Sequence, residues 1–284
     1  MENVGLELYD RTLRLIGEER LRKIRSLRIG VVGCGIVGQI IPAMLSRIGV
    51  AELRLLDKDV VKIENLANSF LFTKRYLGWK KANAAADIAK KYSLDGRIAV
   101  KPYHFDITDS GTSLLEFLDG LNLVYGCLDN LPARYALNFA ALKSDVKYVD
   151  VGVGGFACRV RLIDRSRACY VCDPLVPEKT SINIFRLLPD KADEGCNFAP
   201  TASMLPVSLI ASSIAVSIGL AYLGIIGEPP GLDYYYFHLF SNEIVAMKIT
   251  KREDCIVCGE NGEVWWQDHL SFSSNRVNGE SNNA

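Results

Sequence analysis

The chain has 284 residues, 49% of them hydrophobic, and its 33 Lys and Arg are balanced by 33 Asp and Glu, so the formal charge is zero. That length can bury a large core, as one elaborated α/β domain or as a domain with a small appendage. A neutral balance supplies no global field for nucleic acid or for an anionic membrane, which argues against both as partners. The first residues lack a charged stretch followed by an apolar core, so secretion is not expected and the expected location is the cytoplasm.

Leu6 to Lys23 sets Leu8, Leu13, Leu15, Ile16 and Leu21 among arginines and acids, a pattern that predicts a partly exposed helical arm over residues 1–26. A short apolar strand, Arg28 to Val32, then runs into Gly33-Cys34-Gly35-Ile36-Val37-Gly38, with a helix expected from Ile36 to Ile48. Glycines at 33, 35 and 38 permit the tight turn and close backbone approach that a phosphate needs at a helix start. The next strand, Ala51 to Leu56, ends in two acids, Asp57 and Asp59, at the about 20-residue spacing of a Rossmann-type acid. Strand and helix signals keep alternating: a helix over Lys80 to Tyr92, a strand at Arg97 to Lys101, then Leu114 to Leu118. A strand at Leu121 to Cys127, a helix over Ala133 to Lys143 and a strand at Lys147 to Val151 follow. Such alternation implies right-handed βαβ crossovers and a mainly parallel sheet with helices on both faces.

Beyond Gly152 the rhythm changes. Phe156 to Ile163 reads as a strand without a crossover helix, and Tyr234 to Phe240 with Ile244 to Ile249 reads as a hairpin turned at Ser241-Asn242. The expected fold class is therefore α/β, a Rossmann-like, mainly parallel sheet extended by antiparallel strands, with a structural zinc site. Met204 to Ile226 is long and apolar enough to span a bilayer. Pro206 and four serines, with no basic residue near either end, favour a buried helix instead, and Ala211, Ala215, Gly219 and Ala221 suit close packing. Ser271 to Ala284 is polar and aperiodic and is expected to be a flexible tail.

Two C-x-x-C knuckles, Cys169-Tyr170-Val171-Cys172 and Cys255-Ile256-Val257-Cys258, provide four thiolates, the number and softness that tetrahedral Zn²⁺ requires. A closed four-sulfur shell would clip the chain end back onto the region after the sheet; a disulfide pair or a redox role is the alternative. Cys196, just ahead of the long apolar helix, is either an activated nucleophile or a plain loop residue. Cys34, Cys127 and Cys158 are expected to be buried as small hydrophobes. Asp57 is placed to accept hydrogen bonds from ribose hydroxyls. Asp129-Asn130 follow a strand whose carboxyl end opens on the same side, where a carboxylate can hold magnesium. Lys81 offers a cation for phosphate. Together these residues suit a nucleoside triphosphate better than a dinucleotide. The three histidines show no motif spacing.

Tyr9-Asp10-Arg11, the glycine loop, Leu56-Asp57-Lys58-Asp59 with Glu64-Asn65-Leu66, Gly78-Trp79-Lys80-Lys81, Asp129-Asn130 with Arg134, and both knuckles resemble, in that order, the ThiF/MoeB/HesA superfamily of enzymes that activate ubiquitin-fold proteins. The resemblance runs from about Tyr9 to Gly259 and implies an adenylation domain over residues 27–270. It implies ATP-dependent adenylation of the C-terminal Gly-Gly carboxylate of a small ubiquitin-like modifier or sulfur-carrier protein. By this likeness Asp57 binds ribose, Asn65 and Lys81 the phosphates, and Asp129 Mg²⁺. Arg11 reaches the neighbouring site of a homodimer, and Cys196 matches the region of the family's catalytic cysteine. The segment around Cys196 is closest to the activating enzyme of the ubiquitin-fold modifier. No sulfurtransferase-like domain is evident after Gly259, so a sulfur donor is expected to be a separate protein.

One departure stands out. Asn68 occupies the place of the family's usual arginine, and an amide cannot neutralise a triphosphate as a guanidinium does. Lys74, Arg75 or Lys80 is the candidate substitute. The alternatives are slow or lost adenylation in a nucleotide-binding scaffold, or a transfer-RNA-modifying dehydratase of the same superfamily.

Overall fold

The computed structural model describes residues 7–172, 203–241 and 243–259. The arm is two helices, α1 (Asp10–Ile16) and α2 (Glu18–Ile24), broken at Gly17, whose φ of 82° suits a residue without a side chain. Helix α1 buries nothing, whereas α2 buries Leu21 and Ile24. Just before α1, Tyr9 is 3% exposed; Arg25 lies 5.1 Å over its ring, and a Cβ on Gly49 would meet its hydroxyl at 2.7 Å.

Eight strands form one sheet in the order β3-β2-β1-β4-β5-β6-β7-β8. They are β1 (Arg28–Val32), β2 (Glu52–Leu56), β3 (Ala99–Tyr103), β4 (Leu123–Gly126), β5 (Lys147–Gly154), β6 (Ala157–Ile163), β7 (Tyr234–His238) and β8 (Glu243–Met247). The first five pair in parallel, with Val31 opposite Leu55 on one side and Tyr125 on the other; from β5 to β8 every pairing is antiparallel. The sequence pattern thus identified each strand to within about two residues at most boundaries, and the mixed sheet with it.

Successive strand residues point to opposite faces and fill two cores. One holds Val31, Leu55, Tyr125 and Val149 under α3 (Ile40–Ile48), α5 (Lys81–Tyr92) and α8 (Leu205–Tyr222). The other holds Val124 and Tyr148 under α6 (Gly111–Leu118) and α7 (Leu131–Lys143), and includes Cys169, Cys172 and Cys255. A short helix, α4 (Ile63–Leu66), lies between β2 and α5. Helix α8 is long and apolar enough to cross a membrane by length and composition. Here it packs on β5, β6 and α3, and buries Ala211, Ala215 and Gly219, the last so close that a Cβ would meet the Tyr125 hydroxyl at 2.1 Å.

Candidate functional site

The strand order reverses direction between β1 and β4, and in such sheets a crevice opens at the carboxyl ends of the strands on either side of that switch. A cleft of about 810 Å³ occupies it. Gly33, Gly35, Asp57, Asp59, Asn65, Lys81, Asp129 and Asn130 all line this cleft; Gly38 does not.

The glycines differ in what they do. Gly33 has φ 87°, and a Cβ there would lie 2.4 Å from the Cys127 carbonyl; one on Gly38 would lie 1.7 Å from the Gly33 carbonyl. Both are needed for the chain to fold back on itself. A Cβ on Gly35 would meet no protein atom within 4 Å, so its bare backbone leaves room on the cleft side. The helix expected from Ile36 begins at Ile40, because residues 36–39 form turns closed by Gln39 N–H to the Gly35 carbonyl, 3.1 Å, and Ile40 N–H to that of Val37, 3.0 Å.

Gln39 was not singled out by the sequence. It is fully buried, donates to the Gly35 carbonyl (3.2 Å) and Ser69 Oγ (3.1 Å), and accepts from the N–H groups of Leu71 (2.8 Å) and Phe72 (2.9 Å). One side chain therefore ties the glycine loop to the 69–72 segment across the cleft. A glutamine directly after the loop's last glycine was the signal available.

Asp57 accepts from the Cys34 N–H at 2.7 Å and the Asp59 N–H at 2.8 Å. Burial pushes its carboxyl above the ordinary value, and those two N–H groups with Lys81 pull it part of the way back. Lys81 donates to Asp59 at 3.0 Å, and the side-chain carbonyl oxygen of Asn65, which lines the cleft, accepts from the Lys62 N–H at 2.9 Å. Asp129 is exposed and accepts from the Asn130 amide at 3.0 Å, while Asn130 caps α7 by accepting from the Ala133 N–H at 2.9 Å.

The charge balance at the cleft is informative. Its cations among the described residues are Lys58, Lys81 and Arg134, each paired with an acid: Asp106, Asp59 and Asp150. Asp57, Asp59, Glu64, Asp106 and Asp129 supply carboxylates. Asn68 lines the cleft, but Lys74, Arg75 and Lys80 do not, and Arg75 instead lies 5.8 Å over the Tyr76 ring. None of the three expected substitutes stands in for the missing guanidinium at the cleft wall.

Cys34 and Cys158 are buried as expected, whereas Cys127 lies one residue past β4, half-buried in the cleft wall, where desolvation keeps its thiol protonated. The sulfurs of Cys169, Cys172, Cys255 and Cys258 all lie within 4.8 Å of one another, with separations of 4.0, 3.6 and 3.4 Å for the pairs 169–172, 169–255 and 172–258. All four are free thiols, and the cluster could hold a metal. Arg11 is exposed, and neither it nor the thiol cluster lines the cleft. Cys196 and the Ser271 to Ala284 tail lie outside the described residues.

A mixed Rossmann-like sheet with a glycine loop, a strand-end acid and a cleft at the switch point defines an α/β protein of the nucleotide-binding class. Residues 9–257 match the ThiF family, and the chain belongs to it. It is 30% identical over 185 residues to SUMO-activating enzyme subunit 2 of Dictyostelium discoideum, covering 64% of this chain and 28% of that protein. It is 27% identical over 275 residues to ubiquitin-like modifier-activating enzyme 5 of Drosophila pseudoobscura pseudoobscura, covering 90% and 66%. The chain thus spans from 28% to 66% of the length of these relatives. Among solved structures, E. coli MccB with ATP superposes with a TM-score of 0.69 at 19% identity, over 84% of this chain and 69% of that one, and PaaA with 0.67 at 16%, over 88% and 84%. At such identities the likeness is one of fold.

Proposed function

We propose that the cleft binds ATP with Mg²⁺ and that the protein adenylates the C-terminal Gly-Gly carboxylate of a small ubiquitin-fold protein, for sulfur transfer or protein conjugation. The observation that carries this reading is the convergence of Gly35, Asp57, Asn65, Lys81 and Asp129 on one cleft at the sheet's switch point. Family membership and the names of the curated relatives support the substrate class.

The residues fit the nucleotide and its ion. The open side of Gly35 leaves space for a phosphate against the backbone, and Asp57 retains lone pairs for ribose hydroxyls. With each cleft cation among the described residues already paired, a triphosphate needs further positive charge. A divalent cation on the Asp129 oxygen that does not accept from Asn130 supplies it, and Arg11 from a second protomer adds to it in a homodimer. Attack of a carboxylate on the α-phosphate then depends on alignment and charge neutralisation more than on acid–base groups.

The thiol cluster fits Zn²⁺. A tetrahedral site with Zn–S near 2.3 Å has sulfur–sulfur edges of about 3.8 Å, and the observed separations bracket that value. The Arg252 N–H donates to Cys172 Sγ at 3.4 Å, an outer bond of the kind that orients a thiolate ligand. With no open position, such a metal serves the fold.

ATP–pyrophosphate exchange with and without a Gly-Gly-terminated ubiquitin-fold protein tests the reading. Exchange that requires the free carboxylate is expected; ATP binding with no exchange for any such partner would leave a scaffold or the transfer RNA enzyme. Asp129→Ala is expected to reduce exchange at least a hundredfold and leave melting unchanged, since the side chain is exposed. Exchange at the wild-type rate would remove Asp129 from the reacting centre.

A further inference from the structure

Between the thiol cluster and the cleft runs a line of polar side chains, buried at Arg134, Asp150 and Tyr170 and half-buried at Arg159. Arg134, 7% exposed, lines the cleft from α7. Its guanidinium donates to the Leu128 carbonyl, next to Asp129, to the Val151 carbonyl at 3.3 Å and to the Asp150 carboxylate. Asp150 is fully buried; one of its oxygens also accepts from the Tyr148 hydroxyl at 2.7 Å, and the other faces Arg159 at 3.8 Å. Arg159 stands opposite Gly152 in the β5–β6 register, and a Cβ on Gly152 would meet Arg159 Nε at 2.7 Å. The missing side chain there lets the guanidinium lie back across β5 towards Asp150.

Arg159 also donates to the Tyr170 hydroxyl at 2.5 Å. Tyr170 sits inside the first knuckle, between Cys169 and Cys172. Its N–H donates to Asn138 at 2.9 Å, its ring lies beneath Arg159 and Arg161 at 5.8 and 5.2 Å, and Arg161 donates to the Cys169 carbonyl at 2.6 Å. Displacing Arg134 would leave the Asp150 charge uncompensated away from water, and Arg159, 3.8 Å from the other carboxylate oxygen, adds a second positive charge beside it. Close packing makes such a chain shift as a unit.

We propose that Tyr170, Arg159 and Asp150 are positioning residues through which the four-thiol knuckle fixes Arg134 and the 128–130 loop, so that filling the knuckle with metal tightens nucleotide binding at the cleft. The inference rests on reading the cleft as an ATP site and the knuckle as a zinc site. Without the cation the two knuckles lose the shell that joins them, and the frame from which Tyr170 accepts Arg159 rests on the Asn138 and Arg161 bonds to the first knuckle.

Tyr170→Phe tests the chain, since it removes one hydroxyl and keeps all four thiols. Zinc content is expected to stay at about one equivalent, while the Kd for ATP rises by about three- to thirtyfold. Tyr222→Phe is the matched control: it removes a partly buried hydroxyl bond to Asp164 outside the chain, and ATP affinity is expected to hold. Chelation is expected to weaken ATP binding in the wild type and to add little in Tyr170→Phe. Wild-type affinity in zinc-loaded Tyr170→Phe, or an equal loss in Tyr222→Phe, would sink the chain alone. Failure of zinc-loaded wild type to bind ATP would sink the nucleotide reading, and a wild type purified without zinc the metal reading.

Discussion

The two halves of the sheet hold their shape by opposite means. In the parallel half, β1 and β4 are buried almost end to end and the cleft is shaped by what is absent, side chains at Gly33, Gly35 and Gly38. In the antiparallel half, β8 is exposed along its whole length, and the fold is held by what is present, a thiol cluster and buried pairs such as Arg167–Asp233. Central strands with apolar cover on both faces need no staple. A sheet edge with little cover does.

Removing the staple is expected to have the largest effect. Cys255→Ser, or chelation of the proposed Zn²⁺, should cost several kcal/mol, with β7 and β8 losing amide-exchange protection before β1 and β4. Simultaneous loss across the sheet would show that the halves are one cooperative unit. In the parallel half, Gly38→Ala should cost about 3 kcal/mol or more, because its Cβ would overlap the Gly33 carbonyl. Gly35→Ala should change stability by less than about 0.5 kcal/mol yet weaken ATP binding sharply. Equal stability losses in the two glycine variants would refute the division between folding and cleft-facing glycines.

Gln39→Leu strips the partners from two N–H groups in the 69–72 segment and should cost about 2 kcal/mol, read by denaturant unfolding. The smallest effects are electrostatic and opposite in sign. Burial raises the Asp57 carboxyl, so in the parallel half the folded state binds the extra proton, and this contribution declines as pH rises above the ordinary aspartate value. Burial also disfavours the Asp164 carboxylate, but bonds from Ser166 and Tyr222 with the charge of Arg167 more than offset it, so its pKa is lowered. Its contribution is present above the ordinary aspartate pKa and lost as pH falls through the lowered one. Asp164→Asn should flatten the acid limb of a stability–pH curve; an unchanged limb would place the titration elsewhere.

Much of this architecture was legible in local patterns. Arg28 to Val32 was bounded correctly because a parallel strand buried almost end to end reads as a continuous apolar run, and the antiparallel pair of β7 and β8 was legible from two strand-like runs close in sequence. The break within the helical arm was not legible, because Leu8 to Leu21 keeps its apolar spacing through Gly17, whose positive φ no periodicity reports. The residues around the cleft were legible as a motif set, since the glycines, Asp57, Asp59, Asp129 and Asn130 follow strand ends and Lys81 opens a helix. Gln39, Gly152, Arg159 and Tyr170 were not, because their partners come from other elements, 30 or more residues away for Gln39 and from the facing strand and knuckle for Arg159.

Helix α1 is held at both ends, with Tyr9 seated against Gly49 before it, Ile16 packed on the core in its last turn and Gly17 joining it to α2. The orientation of Arg11 is therefore set from both sides, by the two-residue step from Tyr9 and by the junction with α2. A helix pinned at both ends has one length that satisfies them: inserting a residue between Arg11 and Gly17 would turn the chain by about 100° and either re-aim that guanidinium or unseat α2.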